Sequence, residues 1–272
     1  MTYCLGILLE DGLVMMADTR TNAGVDNVAT FRKLRVWERP GERVIVLLSA
    51  GNLAITQSVV ALLEDSVRWE EHEEMAPGPH GRLMSVPGLT AAARAVGEAV
   101  RAVHRRDAAA LREQGNDFVC SFLLGGQVAG GPMRLFMIYA AGNFIEAGED
   151  TPFLQIGETK YGKPILDRVV NHETSLAQAA KCALVSFDST MRSNLSVGPP
   201  IDLLIYRRDT LGAPIRRRFQ ADDPYLLGVR DLWGEGVRQL FLDLPDLPFA
   251  PDVTPPLLGA PSPMDTDPLD EE

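Results

Sequence analysis

Thr2 is the residue of this chain whose type and place most clearly suggest chemistry. It follows Met1 and stands directly in front of an apolar run, Tyr3–Leu9. A hydroxyl needs a base before it can attack a carbonyl carbon, and a threonine with a free α-amine carries that base itself. The ordinary pKa of an α-amine, about 7.7–8.0, lies near cellular pH and suits proton transfer. Once Met1 is removed, Thr2 is therefore a candidate N-terminal nucleophile.

Three other residues have the types that such a nucleophile needs. A nearby lysine lowers the pKa of the amine and stabilises the alkoxide, and a carboxylate keeps that lysine charged. Asp18 ends one apolar run, Lys33 precedes another, and Gly51 stands at a strand-to-helix junction where its N–H could stabilise an oxyanion. Taken singly, each has a plainer explanation as a turn residue, a solvated charge or a strand terminator. Their combination and order favour a catalytic site.

The order of predicted elements is neither βαβ alternation nor a pure sandwich. Apolar runs joined by turn residues such as Asp11-Gly12 and Pro40-Gly41 predict hairpins, and apolar residues at helical spacing predict helices. Ser175 and Gln178 form a capping box in front of the clearest helix. Strands are predicted at 3–9, 13–17, 34–37, 44–48, 118–124, 134–140, 153–156, 201–206 and 215–219, helices at 55–67, 89–103, 175–191 and 225–242, and a polar loop at 22–30. Two antiparallel sheets with helices covering their outer faces satisfy this order.

The composition excludes several classes of protein. A net charge of −11 argues against nucleic acid and anionic membranes as partners. Cys4, Cys120 and Cys182 are too far apart for a metal motif or a disulfide framework, and the four histidines form no zinc motif, so we predict no metal and no cofactor. The N-terminal region lacks the basic start of a signal peptide, and no run reaches the roughly 20 apolar residues of a membrane span. We expect a cytoplasmic protein.

Residues 243–272 differ in kind from the rest of the chain. They contain eight prolines and eight acidic residues but no lysine or arginine. Such a segment buries too little apolar surface to offset its ordering entropy, so a disordered tail is the plain expectation. Docking on a partner, through Leu257 and Leu258 or through the acidic end, is the alternative. The predicted boundary therefore separates a folded domain at 1–242 from a tail at 243–272.

A resemblance to a known family rests on the motifs of the first 52 residues. Thr2, Ala-Asp-Thr-Arg at 17–20, Lys33, Ser-Ala-Gly at 49–51 and a later Ile-Gly-x-x-x-x-Gly resemble the β-subunits of the proteasome and their bacterial relative HslV. The stretch TYCLGILLEDGLVMMADTRTNAGVDNVATFRKLRV is most similar to Anbu, the bacterial ancestral β-subunit family. The resemblance covers about residues 2–242 and extends through DSTMRSNLSVGPPIDLL.

This resemblance implies a fold and a role for each matching residue. The fold is the four-layer αββα sandwich of N-terminal nucleophile hydrolases, an α+β architecture, and the activity is that of a threonine peptidase or amidase. Thr2 is nucleophile and base, Lys33 tunes the pKa of its amine, Asp18 holds Lys33, and the Gly51 N–H binds the oxyanion. A looser correspondence places four residues in the substrate pocket: Thr21, Phe31, Arg35 and Ser49.

Two positions depart from the proteasome pattern around the nucleophile's amine. Aligning Ser196-Val197-Gly198 with the family motif keeps the supporting serine as Ser196 but puts Ser193 where an aspartate is expected. Glu158, in Gly157-Glu158-Thr159, takes the place of another serine. The support of the amine therefore differs from that of proteasome subunits. No propeptide precedes Thr2 in this sequence, so we expect simple removal of Met1 to mature it.

The resemblance leaves several functions open. The first is a threonine peptidase acting on peptides or unfolded proteins inside a homo-oligomeric ring or open helical ring. The second is an amidase that cleaves a small non-peptide amide, since the same nucleophile serves both reactions. The third is a ring-forming scaffold with vestigial catalytic machinery. Nothing in the sequence identifies an unfoldase partner.

Overall fold

A computed structural model describes residues 2–22, 28–71 and 83–245, apart from the side chains of residues 22 and 69–71. The strands are β1 Tyr3–Leu9, β2 Gly12–Asp18, β3 Arg20–Asn22, β4 Val28–Thr30, β5 Leu34–Arg39, β6 Arg43–Gly51, β7 Cys120–Val128, β8 Arg134–Ile138, β9 Phe144–Glu146, β10 Phe153–Gly157, β11 Ile201–Arg207 and β12 Ile215–Phe219. The helices are α1 Leu53–Glu71, α2 Leu89–Glu113, α3 Lys163–Val169, α4 Leu176–Ser193 and α5 Pro224–Leu242.

The strands form two five-stranded antiparallel sheets and a small ribbon. The first sheet has the order β10-β1-β2-β11-β12 and the second β5-β6-β7-β8-β9. The ribbon pairs β3 with β4. The prediction of a polar loop at 22–30 is therefore wrong at both ends of that range, where these two short strands lie. The predicted pair of antiparallel sheets is confirmed, and the protein has a mixed α/β fold.

Strand β1 shows why the first residues of the chain are held firmly. Tyr3, Leu5, Ile7 and Leu9 belong to one buried cluster together with side chains of α4, because alternate residues of a strand face the same side. Cys4 and Leu8 point the other way, into a cluster shared with β6 and β7 of the second sheet. Both faces of β1 are thus covered, which explains a continuous apolar run with no polar alternation.

The second sheet carries its own helical cover. Residues of α1 and α2, such as Ile55, Val59 and Val100, pack with Ile45 and Phe122 of the sheet in a third buried cluster. Burial of this apolar stripe follows from the helical spacing seen in the sequence. No helix within the described ranges is long and apolar enough to cross a lipid bilayer.

Packing divides the chain into two units, residues 1–233 and 234–272. The predicted capping box of α4 is present in the first unit, where the Ser175 side chain accepts from the Gln178 N–H. In the second unit the described residues are the end of α5 and the three residues after it, with Leu240, Phe241 and Leu242 all more than 60% exposed. Residues 246–272 of the predicted tail lie outside the described residues.

Candidate active site

Thr2 is held at the start of β1 by the neighbouring strand β10. The Glu158 N–H donates to the Thr2 carbonyl oxygen at 2.7 Å, directly after the register that pairs Tyr3 with Gly157. Gly157 has φ +84°, and a Cβ built there would lie 2.0 Å from the Thr2 carbonyl oxygen. A glycine is therefore needed for the close approach of the two chains at this point.

Asp18 and Lys33 form a buried ion pair beside this strand end. Lys33 Nζ donates to Asp18 Oδ1 at 2.7 Å and to the Arg20 carbonyl oxygen at 2.6 Å. Asp18 also accepts from the Tyr3 N–H at 3.1 Å, because the β1–β2 hairpin register places Tyr3 next to it. Burial raises the pKa of the Asp18 carboxyl, while Lys33 and the Tyr3 and Gly198 N–H groups act in the opposite direction. The pair fixes the Lys33 side chain close to the start of β1, where Thr2 lies.

A cavity of about 250 Å³ gathers most of the residues that the sequence singles out. Seven of the nine predicted site residues line it: Thr2, Thr21, Phe31, Lys33, Arg35, Ser49 and Gly51. The Thr21 hydroxyl is buried and has no hydrogen-bond partner among the described residues. Since an unsatisfied buried hydroxyl is costly, this group is available to a ligand in the cavity.

Gly51 lies where β6 passes into α1, with a backbone conformation that favours glycine. Its φ is +117°, and a Cβ there would come within 2.4 Å of the Val119 carbonyl oxygen. The next residue, Asn52, accepts from the Ala54 N–H at 3.0 Å and so caps α1. Leu53, the first residue of α1, also lines the cavity. The N-terminus of a helix favours negative charge, which suits an oxyanion at this end of the cavity.

Ser196 and Ser193 do not line the cavity. Ser193 is exposed at the end of α4, and Ser196 is half-buried in the loop that follows. Asn194 contacts Glu158, the residue whose N–H binds the Thr2 carbonyl oxygen. Its Nδ2 donates to Glu158 Oε2 at 2.7 Å, and its Oδ1 accepts from the Ser196 N–H at 2.9 Å. Asn194 could not be identified from the sequence, since no local pattern links it to Glu158 36 positions away.

Helix α1 forms one wall of the cavity, and its lining residues are not among the site residues predicted from the sequence. Five further residues of the helix line the cavity: Thr56, Gln57, Val60, Ala61 and Glu64. Their helical spacing, starting just after Gly51, is the signal that identifies this face. The wall combines apolar surface with polar groups at its two ends, a lining that suits recognition of a side chain.

A larger groove of about 660 Å³ adjoins the cavity and shares Arg32, Arg35 and Glu64 with it. Arg216, Arg217 and Arg218 of the edge strand β12 line its other side. These three guanidinium groups are already paired, for example Arg218 with Asp202 at 2.6 Å. Because Thr2 does not border the groove, we place the chemistry in the smaller cavity.

Neither a competing thiol nor a metal cluster is present in the described part of the chain. Cys4 is fully buried, and burial raises the pKa of its thiol. It stays protonated and donates to the Ser49 carbonyl oxygen at 3.5 Å. The described residues contain no group of three or more His, Cys, Asp or Glu side chains that could hold a metal ion.

The site and the two sheets describe a protein with a threonine at the mouth of a small cavity and a buried lysine–aspartate pair behind it. No protein-family model and no curated protein matches the chain. An Anbu (Gly-1) mutant from Hyphomicrobium sp. strain MC1 is 50% identical, over 91% of this chain and 99% of that one, with a TM-score of 0.82.

Two further solved structures agree with this match. Anbu (ancestral beta-subunit) from Yersinia bercovieri is 48% identical, over 92% of this chain and 100% of that one, with a TM-score of 0.82. The Anbu complex of Pseudomonas aeruginosa, solved as a helical assembly, is 50% identical over 91% and 98% of the two chains, with a TM-score of 0.84. This chain belongs to the Anbu (ancestral β-subunit) family.

Proposed function

We propose that the chain is a threonine-type peptidase that uses the free amine and hydroxyl of Thr2. The observation that carries the proposal is the buried Lys33–Asp18 pair, 2.7 Å apart, whose lysine lines one cavity together with Thr2 and Gly51. A buried ion pair is costly to form and is a weak source of stability. Its place beside a candidate nucleophile therefore supports a chemical role.

The proposed reaction runs in two halves. The α-amine takes the proton of the Thr2 hydroxyl, and Oγ attacks the carbonyl carbon of the substrate. The Gly51 N–H stabilises the oxyanion, while Lys33, held by Asp18, stabilises the developing alkoxide. The protonated amine then gives its proton to the leaving amine as the C–N bond breaks, which leaves an ester on Thr2. Water hydrolyses that ester by the same route and restores the free hydroxyl.

The substrate pocket in this proposal is formed by Thr21, Phe31, Arg35 and Ser49. This assignment is supported by their place in the cavity and by the Thr21 hydroxyl. That hydroxyl has no hydrogen-bond partner among the described residues and can form a hydrogen bond with a backbone or side-chain group of a peptide. The small volume, about 250 Å³, fits one side chain rather than a folded protein. The same volume also suits a small non-peptide amide, so an amidase is the second candidate function.

The proposed fold is the four-layer αββα sandwich of N-terminal nucleophile hydrolases, with the hydrolase domain at 1–242 and a separate tail at 243–272. Three buried clusters support the four layers: one between α4 and the first sheet, one shared by the two sheets, and one between the second sheet and α1 and α2. A cytoplasmic location fits the three buried free cysteines, Cys4, Cys120 and Cys182.

Maturation is the first step that can be tested. We expect the purified protein to lack Met1, because the Thr2 nitrogen cannot serve as a base while it is acylated by Met1. Thr2 has a small side chain, which is compatible with removal of the preceding methionine. Intact-mass measurement and sequencing of the N-terminal peptide check this. Met1 retained in most chains would remove the catalytic proposal.

Self-association into a ring or an open helical ring is part of the proposal. It is supported by the helical assembly of the Pseudomonas aeruginosa relative and by the exposed apolar end of α5, where Leu240, Phe241, Leu242 and Leu244 are 59–73% exposed. Exposed apolar patches of this kind mark contact surfaces. We expect light scattering to give the mass of several chains. A single-chain mass at micromolar concentration would contradict the assembly.

A further inference from the structure

Glu158 is a buried acid directly across from the candidate nucleophile. The β1–β10 register pairs Tyr3 with Gly157, and the Glu158 N–H donates to the Thr2 carbonyl oxygen at 2.7 Å. Continuing that register by one residue places Thr2 opposite Glu158. Residues directly opposite on antiparallel strands have Cβ atoms about 4.5–5.5 Å apart and lie on the same face of the sheet. A glutamate side chain from this position can span the distance to the Thr2 nitrogen.

The Glu158 carboxylate has acceptor capacity to spare. Asn194 Nδ2 donates to Oε2 at 2.7 Å, and Lys160 Nζ lies 3.6 Å from Oε1. An ionised carboxyl group offers about four acceptor positions, so these two partners leave Oε1 partly free. Lys160 is 68% exposed, and an exposed ion pair holds its partner only weakly. The carboxylate is therefore buried, held by a hydrogen bond at Oε2 and by a weaker ion pair at Oε1.

We infer that Glu158 is the counter-ion of the α-ammonium group that Thr2 carries after Met1 is removed, and that it positions this amine and sets its pKa. The inference rests on the proposed function, since it needs a free Thr2 amine. An opposite charge nearby favours the protonated amine and raises its pKa, whereas a nearby cation lowers it. Glu158 thus acts against Lys33, whose ammonium is held close to the same strand end.

The proton balance of the reaction explains why such a counter-ion is useful. When the Thr2 Oγ proton moves to the amine, a second cation forms at the strand end where the buried Lys33 ammonium is already held. Glu158 supplies the negative charge that stabilises it until the proton passes to the leaving amine. The other charged groups around this end include Asp18, already paired with Lys33, and Arg20, which donates to the Leu195 carbonyl oxygen. Arg32, Arg35 and Glu64 line the same cavity as Thr2, and Arg35 is paired with Glu64 at 3.3 Å.

Competitive acetylation measures this pKa without any need for turnover. Only the unprotonated amine reacts with acetic anhydride, so the pH at which acetylation of the Thr2 amine reaches half its maximum reports its pKa. Mass spectrometry of the N-terminal peptide reads the product, with the exposed Lys181 as internal reference. The variant Glu158→Gln keeps the shape and a carbonyl acceptor for Asn194 but loses the charge. The matched control is Glu98→Gln on α2, which removes one equally negative charge from an exposed site.

We expect Glu158→Gln to lower the pKa of the Thr2 amine by about one unit or more, a tenfold change in acetylation rate at acidic pH. Glu98→Gln should leave it unchanged. A shift in Glu158→Gln no larger than in Glu98→Gln overturns the inference. If circular dichroism shows that Glu158→Gln misfolds, Glu158→Asp decides, because it keeps the charge but withdraws the carboxylate by one methylene: a lowered amine pKa supports the role of Glu158, and an unchanged one contradicts it.

The same spectra separate this inference from the proposed function. A peptide that still begins with Met1 contradicts maturation and with it the peptidase proposal. A peptide that begins with Thr2, with the same amine pKa in the wild type and in Glu158→Gln, contradicts only the role of Glu158. A shift in the pKa of the Thr2 amine would support the role of Glu158 even if no substrate were hydrolysed, because acetylation requires only the free amine.

Discussion

Replacing Thr2 by alanine is expected to lower the hydrolysis of peptide amides by at least about 10³-fold, because in the proposed reaction the ester intermediate forms on the Thr2 hydroxyl. Cys4 cannot substitute, since it is fully buried and burial raises the pKa of its thiol. The fold should be unaffected: the Thr2 side chain is only half-buried, and a change of this size shifts stability by roughly 0.5 kcal/mol or less. Steady-state turnover and a thermal melt of the same samples check both parts.

Thr2→Ser is the matched control for this experiment. It keeps both the amine and a hydroxyl in the same place, so it should retain measurable turnover while the alanine variant does not. Hydrolysis by Thr2→Ala at more than about one hundredth of the wild-type rate, a barrier difference under about 2.7 kcal/mol, would mean that another residue is the nucleophile.

Lys33→Ala is expected to have the second largest effect, on both activity and stability. Lys33 is 6% exposed and Asp18 0%, so removing the lysine leaves a buried carboxylate without its counter-ion, which costs about 3–5 kcal/mol. The rate should fall by more than tenfold, since the amine–hydroxyl pair loses its positive neighbour. Chemical denaturation gives the stability and turnover gives the rate. A variant that kept more than about a tenth of the wild-type rate, a loss under about 1.4 kcal/mol, would contradict this role.

A double variant separates folding from chemistry at this pair. Asp18→Asn combined with Lys33→Met removes both charges and keeps similar volumes. Replacing a buried ion pair by neutral groups is often close to neutral for stability, so we expect a free energy of unfolding within about 2 kcal/mol of the wild type. Activity should stay as low as in Lys33→Ala. Recovery of activity together with stability would show that the pair serves only the fold.

Local sequence signals predicted the hairpins and the long helices of this fold well. Asp11-Gly12 marks the turn between β1 and β2, and the capping box at Ser175 marks the start of α4. Such signals act between neighbours in the chain, through turn geometry and helical spacing. They do not specify that β1 also pairs with β10, nor that β2 pairs with β11, because those contacts join residues that are far apart in the sequence.

The candidate site could be predicted only as far as its residues match a family pattern. The family pattern places Lys33 with Asp18, and the two side chains lie 2.7 Å apart. The catalytic roles of the two residues stay predictions. The contacts of Glu158 with Asn194 and with the Thr2 backbone could not be predicted, since they depend on where β10 and the end of α4 meet. The short helix α3 was missed because its seven residues carry too little apolar periodicity.

Labelling with a peptide epoxyketone tests the central claim most directly. This reagent bonds covalently to both the hydroxyl and the amine of an N-terminal threonine, so it reports the free amine, the reactive Oγ and the open cavity in one measurement. We expect one adduct per chain by intact mass, located by peptide mapping on a Thr2 that has lost Met1, and no adduct in Thr2→Ala. An unlabelled wild-type chain that has lost Met1, or an adduct at any other residue, would contradict it.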